Sequence, residues 1–343
     1  MTQATASLEA ERQELLDLGE DLLARSCTVD HLRARLEEGT AHTAALWGRL
    51  AESGILSALV PEEQGGIALS PAHLSTTLAA FGRHAVPEPF LETSVIAASI
   101  LTATSWAEAP AWLERIAAGD AIVAIRMDDA PHVAFASEAD LLIDLRTDDS
   151  VHAFTPDELD VRDVAALDPL RPLAAVTPIG AGTPLEIAAA DVERIRAIAI
   201  AGAACMLAGA SRRLLDLTVD YIVVRKQFDR PVGSFQAVKH KVADVAVMVD
   251  LAEAAALSAL DRVTEPGAFR RAAAAKAYAG DAAHLANLHA LQLHGGIGFT
   301  WEYELHIWLK RVMSLSADYG TTRSLRRRLA VELIASLDEV PSS

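Results

Sequence analysis

Two stretches of the chain hold residue types that could grip an anion. The first runs Arg225-Lys-Gln-Phe-Asp-Arg-Pro-Val-Gly-Ser-Phe-Gln-Ala-Val-Lys-His-Lys-Val-Ala-Asp244. Its start continues a helical periodicity, Pro231 and Gly233 break that helix, and a second helix is expected to resume at Phe235. Arg225 then lies at a helix end with its guanidinium free. Arginine grips phosphate oxygens bidentately, which favours an anionic partner; the plainer alternative is a surface turn carrying a loose cation. The second stretch, Leu291-Gln-Leu-His-Gly-Gly-Ile-Gly-Phe-Thr-Trp-Glu302, sets Gly295 beside Gly296. Paired glycines let backbone amides approach a phosphate or ribose with no Cβ in the way, although a plain helix C-cap asks for the same residues.

Together, R-K-Q-F-x-R-P-x-G-S-F-Q-A-V-x-H-x-x-A-D and Q-L-H-G-G-I-G-F-T-W-E resemble the two signatures in the C-terminal half of the acyl-CoA dehydrogenase family, in the family's order and at about its spacing. The resemblance is strong from about residue 191 onward, fair over the first 120 residues and poor between. In relatives, the Arg of the first signature reaches the pyrophosphate of an FAD held mainly by the neighbouring subunit. The Q-x-x-G-G turn of the second closes over the adenosine end. Carried over by position, the resemblance implies Arg225, Phe228, Gln236, Gln292, Gly295 and Gly296 as FAD contacts.

The family removes hydrogens from Cα and Cβ of an acyl-CoA thioester. A carboxylate takes the weakly acidic α-proton in a dry pocket while Cβ delivers hydride to the flavin. In many relatives that carboxylate is the Glu of a Y-E-G-T near the C-terminus. The matching residues here are Asp318-Tyr319-Gly320-Thr321, so Tyr319 holds the base slot and Thr321 carries over as a further cofactor contact. A phenol with an ordinary pKa near 10 is a poor replacement for a carboxylate. Asp318 is one position off and is expected to point elsewhere. Relatives that place the Glu on the first bundle helix would have it near Ala199 or Ile200, where no carboxylate stands; Glu193 comes about two turns too early. Glu302 is a reserve candidate for proton transfer.

The middle of the chain departs further. Relatives cradle the flavin ring with a T-E-P-x-A-G-S-D stretch and a later Trp-containing strand, and neither is found between Asp120 and Asp191, where Asp128-Asp-Ala-Pro-His132 forms a shortened segment. A chain that keeps residues reaching a neighbour's flavin, yet cannot wrap its own, suggests a division of labour. The resemblance is then to the short, degenerate subunit of heteromeric actinobacterial enzymes acting on sterol side-chain CoA thioesters, with Asp229 where Gly is commoner. The expected function is a subunit that completes the FAD site of a full-length acyl-CoA dehydrogenase partner in a heterotetramer and lacks the base. The alternatives are a homo-oligomeric dehydrogenase with an unconventional base, and a structural or regulatory protein that kept the fold and lost the flavin.

The elements that must position these residues follow from composition and periodicity. At 343 residues with 51% hydrophobic and only 5% aromatic residues, the chain suits closely packed helices and more than one core. A net charge of -17 argues against nucleic acid or an anionic membrane as partner, and any CoA or FAD site must be locally basic against it. Cys27 and Cys205 form no metal or redox pattern. The first residues lack a secretory pattern, no apolar run approaches the roughly 20 residues that span a bilayer, and a cytoplasmic location is expected.

Residues 1–119 are expected to form an N-terminal helical domain, with helices over residues 8–26, after Thr28 and from Thr43 to Ser53, the last stopped by Gly54. Residues 120–190 are expected to form a small, shortened β domain, with short apolar runs at 121–127, 133–135, 141–145 and 151–154 and a hairpin loop at 146–150. Residues 191–343 are expected to form a four-helix bundle, with Leu207, Leu214, Leu217, Tyr221 and Val224 defining one face of a long helix and Val238, Val242, Val245, Val249 and Leu251 beginning the next helix. The whole is mainly α with a small β domain. Arg323, Arg326, Arg327 and Arg328 are either CoA-phosphate contacts or a solvated helix face. The spacing of His284, His289 and His294 does not stack them on one helical face, which argues against a metal.

Overall fold

The computed structural model describes residues 3–338. The N-terminal region is helical: α1 (Gln3–Ser26), α2 (Val29–Glu38), α3 (Ala44–Glu52), α4 (Ser75–Arg83), a π-helical stretch (Leu91–Ala97) running into α5 (Ala98–Ala103), and α6 (Ala109–Ala118). Its starts and stops are written locally. The Thr28 and Thr43 hydroxyls accept the backbone N–H groups of His31 and Leu46 and so cap α2 and α3. Gly54, at φ 81°, turns the chain just beyond α3. Leu46, Trp47 and Leu50 are buried, and Trp47 Nε1 donates to the Gly119 carbonyl at 3.0 Å, fixing the exit from α6.

Two sheets follow. β1 (Val123–Met127), β3 (Leu141–Leu145), β4 (Val151–Phe154) and β7 (Thr183–Pro184) form one, in the order β1-β3-β4-β7; β2 (His132–Ala134), β6 (Leu173–Pro178) and β5 (Leu159–Val164) form the other, in the order β2-β6-β5. The 146–150 loop joins β3 and β4 as an antiparallel hairpin. β1 and β3 pair in parallel and are almost wholly buried, which is why they read as continuous apolar runs. β5 and β6 were not expected. β6 lies between Pro172 and Pro178, which read as loop punctuation; Pro178 in fact ends the strand opposite Leu159.

The C-terminal region contains α7 (Ala189–Val224), a small hairpin of β8 (Lys226–Gln227) and β9 (Arg230–Pro231), α8 (Gln236–Asp261), α9 (Ala268–His294), α10 (Leu305–Ala317) and α11 (Thr322–Asp338). α7 to α10 make the bundle and α11 lies on α9. α10 was not separated from the final helix in the sequence. Val224 and Leu251, at the ends of the two apolar series, are 73% and 54% exposed; on α8 the buried line is Val245, Val249, Ala252 and Ala256.

By length and composition α7 could cross a bilayer, contrary to the sequence expectation, but its most apolar window is 89% buried inside the fold. It is the core helix on which the N-terminal layer docks. At that crossing a Cβ on Gly82 would lie 1.9 Å from the Met206 carbonyl oxygen, and one on Gly209 1.9 Å from that of Ala79. Only glycine on both helices permits so close an approach.

Candidate functional site

α9 carries a different candidate site toward each end, roughly 27 Å apart at helical rise. At its C-terminal end stands the edge that the two sequence signatures share. α7 stops at Val224, and the Arg225 amide donates to the Tyr221 carbonyl at 2.9 Å. The chain then reverses through β8 and β9 about Phe228 and Asp229, whose φ values are 53° and 60°. This two-residue, doubly left-handed turn is the type that matches strand twist in a hairpin. It replaces the simple break expected at Pro231 and Gly233; Asp229 was its signal, since Asp tolerates the left-handed region far better than bulky residues do.

Phe228 is 86% exposed, edge-on to Phe235, whose ring also carries the Arg230 guanidinium at 3.9 Å. Arg225 is exposed and makes no side-chain hydrogen bond or ion pair among the described residues. Gln236 opens α8 and is exposed.

Against this hairpin the fold sets the second signature. His294 ends α9, buried, its ring stacked 4.3 Å from Tyr221 and tilted against Tyr303, with Nδ1 donating to the Ala290 carbonyl at 2.8 Å. Burial holds its pKa below the ordinary value. The Tyr221 hydroxyl reaches the His294 carbonyl at 3.4 Å. Gly295, at φ 61°, and Gly296 then turn away, and a Cβ on either would meet nothing within 4 Å. Gln292 is exposed, and its Oε1 accepts from Lys241 Nζ at 2.6 Å. Arg225, Gln236, Gln292, Gly295 and Gly296 are thus brought to one edge of exposed donors and open backbone, which fits the phosphate and nucleoside portion of FAD.

The other site is the turn between α10 and α11. The Tyr319 hydroxyl donates to Glu92 Oε1 at 3.2 Å. Arg171 donates from Nη2 to the same oxygen at 2.6 Å and from Nε to Asp318 Oδ2 at 2.8 Å. Glu92 and Arg171 are 1% and 3% exposed. Burial and the neighbouring Glu92 push the phenol of Tyr319 well above its ordinary pKa, so it stays neutral. Burial acts to lower the pKa of Arg171, but Asp318 and Glu92 outweigh it and raise the value.

Lys276 of α9 lies beneath the turn, donating to the carbonyls of Leu315 (2.8 Å), Ser316 (3.3 Å) and Gly320 (3.5 Å). Beside it Arg311 donates to Asp168 at 2.6 Å and to the Val86 carbonyl at 2.8 Å. These bonds join all three regions of the chain. Of the polar atoms here, Glu92 Oε2 has no partner. The adjoining cavity, floored by β1 and β2 and closed by Arg171, Asp318 and Tyr319, measures about 270 Å³. Ile125, Met127, Val133 and Leu173 make its walls largely apolar.

The remaining candidates stand apart. Thr321 caps α11, its hydroxyl accepting from the Ser324 amide at 3.2 Å. Ala199 and Ile200 are fully buried in α7. Glu193 lines an open cleft with Arg196, Arg270 and Arg328. Arg326 pairs with Asp281, and Arg328 with Asp128 at 3.2 Å. Glu302 is exposed, its carbonyl accepting from Arg33 at 2.8 Å. Cys27 and Cys205 are buried free thiols, Cys27 Sγ donating to the His84 carbonyl at 3.5 Å, with burial raising the Cys27 thiol to about 12. Sequence reasoning missed Glu92, Arg171 and Lys276. A lone carboxylate in the apolar run Phe90-Leu-Glu-Thr-Ser-Val-Ile96 was the available signal for Glu92, because an isolated charge in such a run must find a partner.

Residues 9–120 match the model of the acyl-CoA dehydrogenase N-terminal domain and residues 180–334 that of the C-terminal domain. The chain is 32% identical to acyl-CoA dehydrogenase IpdE2 of Mycobacterium tuberculosis over 94% of its own length and 97% of that protein's. The fold resembles a chain of the ChsE4-ChsE5 complex from Mycobacterium tuberculosis, with a TM-score of 0.87 at 24% identity over 100% of this chain and 99% of that one. It also resembles a chain of the Tcur3481-Tcur3483 steroid ACAD, with a TM-score of 0.85 at 23% identity over 97% of this chain and 100% of that one.

Proposed function

This chain belongs to the acyl-CoA dehydrogenase family of oxidoreductases, and from that premise we propose that it is the non-basic subunit of a heteromeric, FAD-dependent acyl-CoA dehydrogenase. The observation that carries the reading is the base slot: burial, with Glu92 beside it, keeps Tyr319 neutral, and Glu92 and Asp318 are both tied to Arg171. Neither Tyr319 nor Asp318 is free to take an α-proton. The exposed edge at Arg225, Gln292 and Gly295 complements this, since it offers donors to a cofactor whose ring lies in another chain.

FAD, the cofactor of the family, would accept hydride from Cβ of the acyl-CoA. This chain would hold the phosphates through Arg225 and the nucleoside end through Gln292 and the Gly295–Gly296 turn, and the partner would supply the carboxylate. A full-length relative with the missing Glu is the partner expected. A steroid-derived acyl chain is the first substrate to try, because one similar structure is described as a steroid enzyme.

The test is the visible absorption spectrum of the chain purified alone and again after co-expression with a full-length relative from the same genome. Flavin bands only in the second sample support the reading. Bands from the chain alone would overturn it in favour of a self-sufficient enzyme, and no bands in either would favour a protein that has lost the flavin.

A further inference from the structure

The Gln292 amide has two unlike ends, and the fold determines which one a ligand meets. Lys241 Nζ donates to Gln292 Oε1 at 2.6 Å. An ammonium carries three donors and no acceptor, so it selects the carbonyl end and leaves the NH₂ end outward. Arg225, whose amide donates to the carbonyl of the Tyr221 that stacks on His294, is donor-only too, and the open backbone at Gly295 and Gly296 adds no competing side chain. So many donors at one edge of a chain with net charge -17 run against its composition.

We infer that Lys241 is a positioning residue: by holding the Gln292 carbonyl it makes that amide a pure donor, so that this edge selects an acceptor-only, anionic group, the phosphate next to the nucleoside end of the dinucleotide. The inference deepens the FAD reading above and rests on it. Tyr221 keeps the edge in register, because its carbonyl accepts the Arg225 amide at 2.9 Å and its ring packs on His294.

The test uses the complex co-purified with its full-length partner, stripped of flavin and titrated with FAD. Lys241→Met is expected to weaken FAD binding about five- to tenfold, the scale of one hydrogen bond, and Lys241→Arg to restore it. In a Gln292→Ala background, Lys241→Met should cost nothing further, because its effect passes through that amide.

Unchanged affinity in Lys241→Met, while Gln292→Ala and Arg225→Ala both weaken binding, would overturn the inference and leave the FAD reading standing. Losses that multiply in the double variant would also overturn it, since Lys241 would then touch the cofactor on its own account. So would a fall in unfolding midpoint that tracks the affinity and is not corrected by Lys241→Arg. If neither Gln292→Ala nor Arg225→Ala alters affinity, the FAD reading itself fails and the inference falls with it.

Discussion

In the N-terminal third of α9, Lys276 sits under a turn where Glu92, Arg171, Asp318 and Tyr319 bond to one another, while at the far end of the same helix Gln292, Gly295 and the hairpin after Arg225 stand open to solvent. Solvent access explains the contrast. Polar groups cut off from water are mostly paired within the protein, Glu92 Oε2 being the exception here, whereas exposed donors can wait on water until a ligand displaces it. Tyr319 and Asp318 are bound into internal structure, whereas Arg225, Gln292 and Gly295 lie at the surface.

The sharpest way to break this contrast is to open the closed site. Arg171→Met leaves Glu92 and Asp318 without their shared cation in a buried setting, and should cost about 3–5 kcal/mol of stability in urea unfolding. A loss under about 1 kcal/mol would mean that the ring is not what holds the turn.

Lys276 offers a pH test of the same ring. Burial lowers its pKa to about 8, Arg171 adding to that effect and Asp318 opposing it. Below pH 8 the lysine is charged in both folded and unfolded chains. Between about 8 and its ordinary 10.5 the unfolded chain binds more protons, so its contribution makes stability rise with pH across that window, by on the order of 3 kcal/mol at most. Lys276→Met should remove that rise relative to wild type, and parallel pH profiles for the two proteins would show that Lys276 is not strained there.

At the open edge, Arg225→Ala should lower FAD affinity of the assembled complex by about 1.5–3 kcal/mol while leaving the urea midpoint of the chain alone unchanged. Loss of stability without loss of flavin would make Arg225 a structural residue. The smallest effect is expected of Tyr319→Phe, which removes one 3.2 Å bond to Glu92 and should cost about 1 kcal/mol or less, with turnover of the assembled enzyme nearly intact. A fall in turnover above roughly a hundredfold, the scale of general-base catalysis, would make the phenol a participant.

Much of the open edge was legible in the sequence because its determinants are local. Pro231, Gly233 and the paired glycines specify turns within a few residues, and an unpartnered arginine at a helix end needs no distant contact to be noticed. The hairpin at Phe228 and Asp229 was missed because its strands are two residues long, too short for an alternating pattern. The closed site was only half legible. Tyr319 could be seen in the Glu slot, but Glu92 and Arg171 reach it from 227 and 148 positions away along the chain, and even where an isolated charge such as Glu92 signals that it needs a partner, the sequence does not say which.

The sequence by itself determined the succession of helical, β and helical regions, the helix caps and the residues presented at the open edge, because periodicity, capping and turn chemistry act over a few residues. Tertiary structure alone decided that Glu92 and Asp318 share Arg171, that Lys276 lies under the α10–α11 turn, and that Lys241 holds Gln292. Those pairings depend on which groups folding removes from water together, and that is a property of the assembled chain.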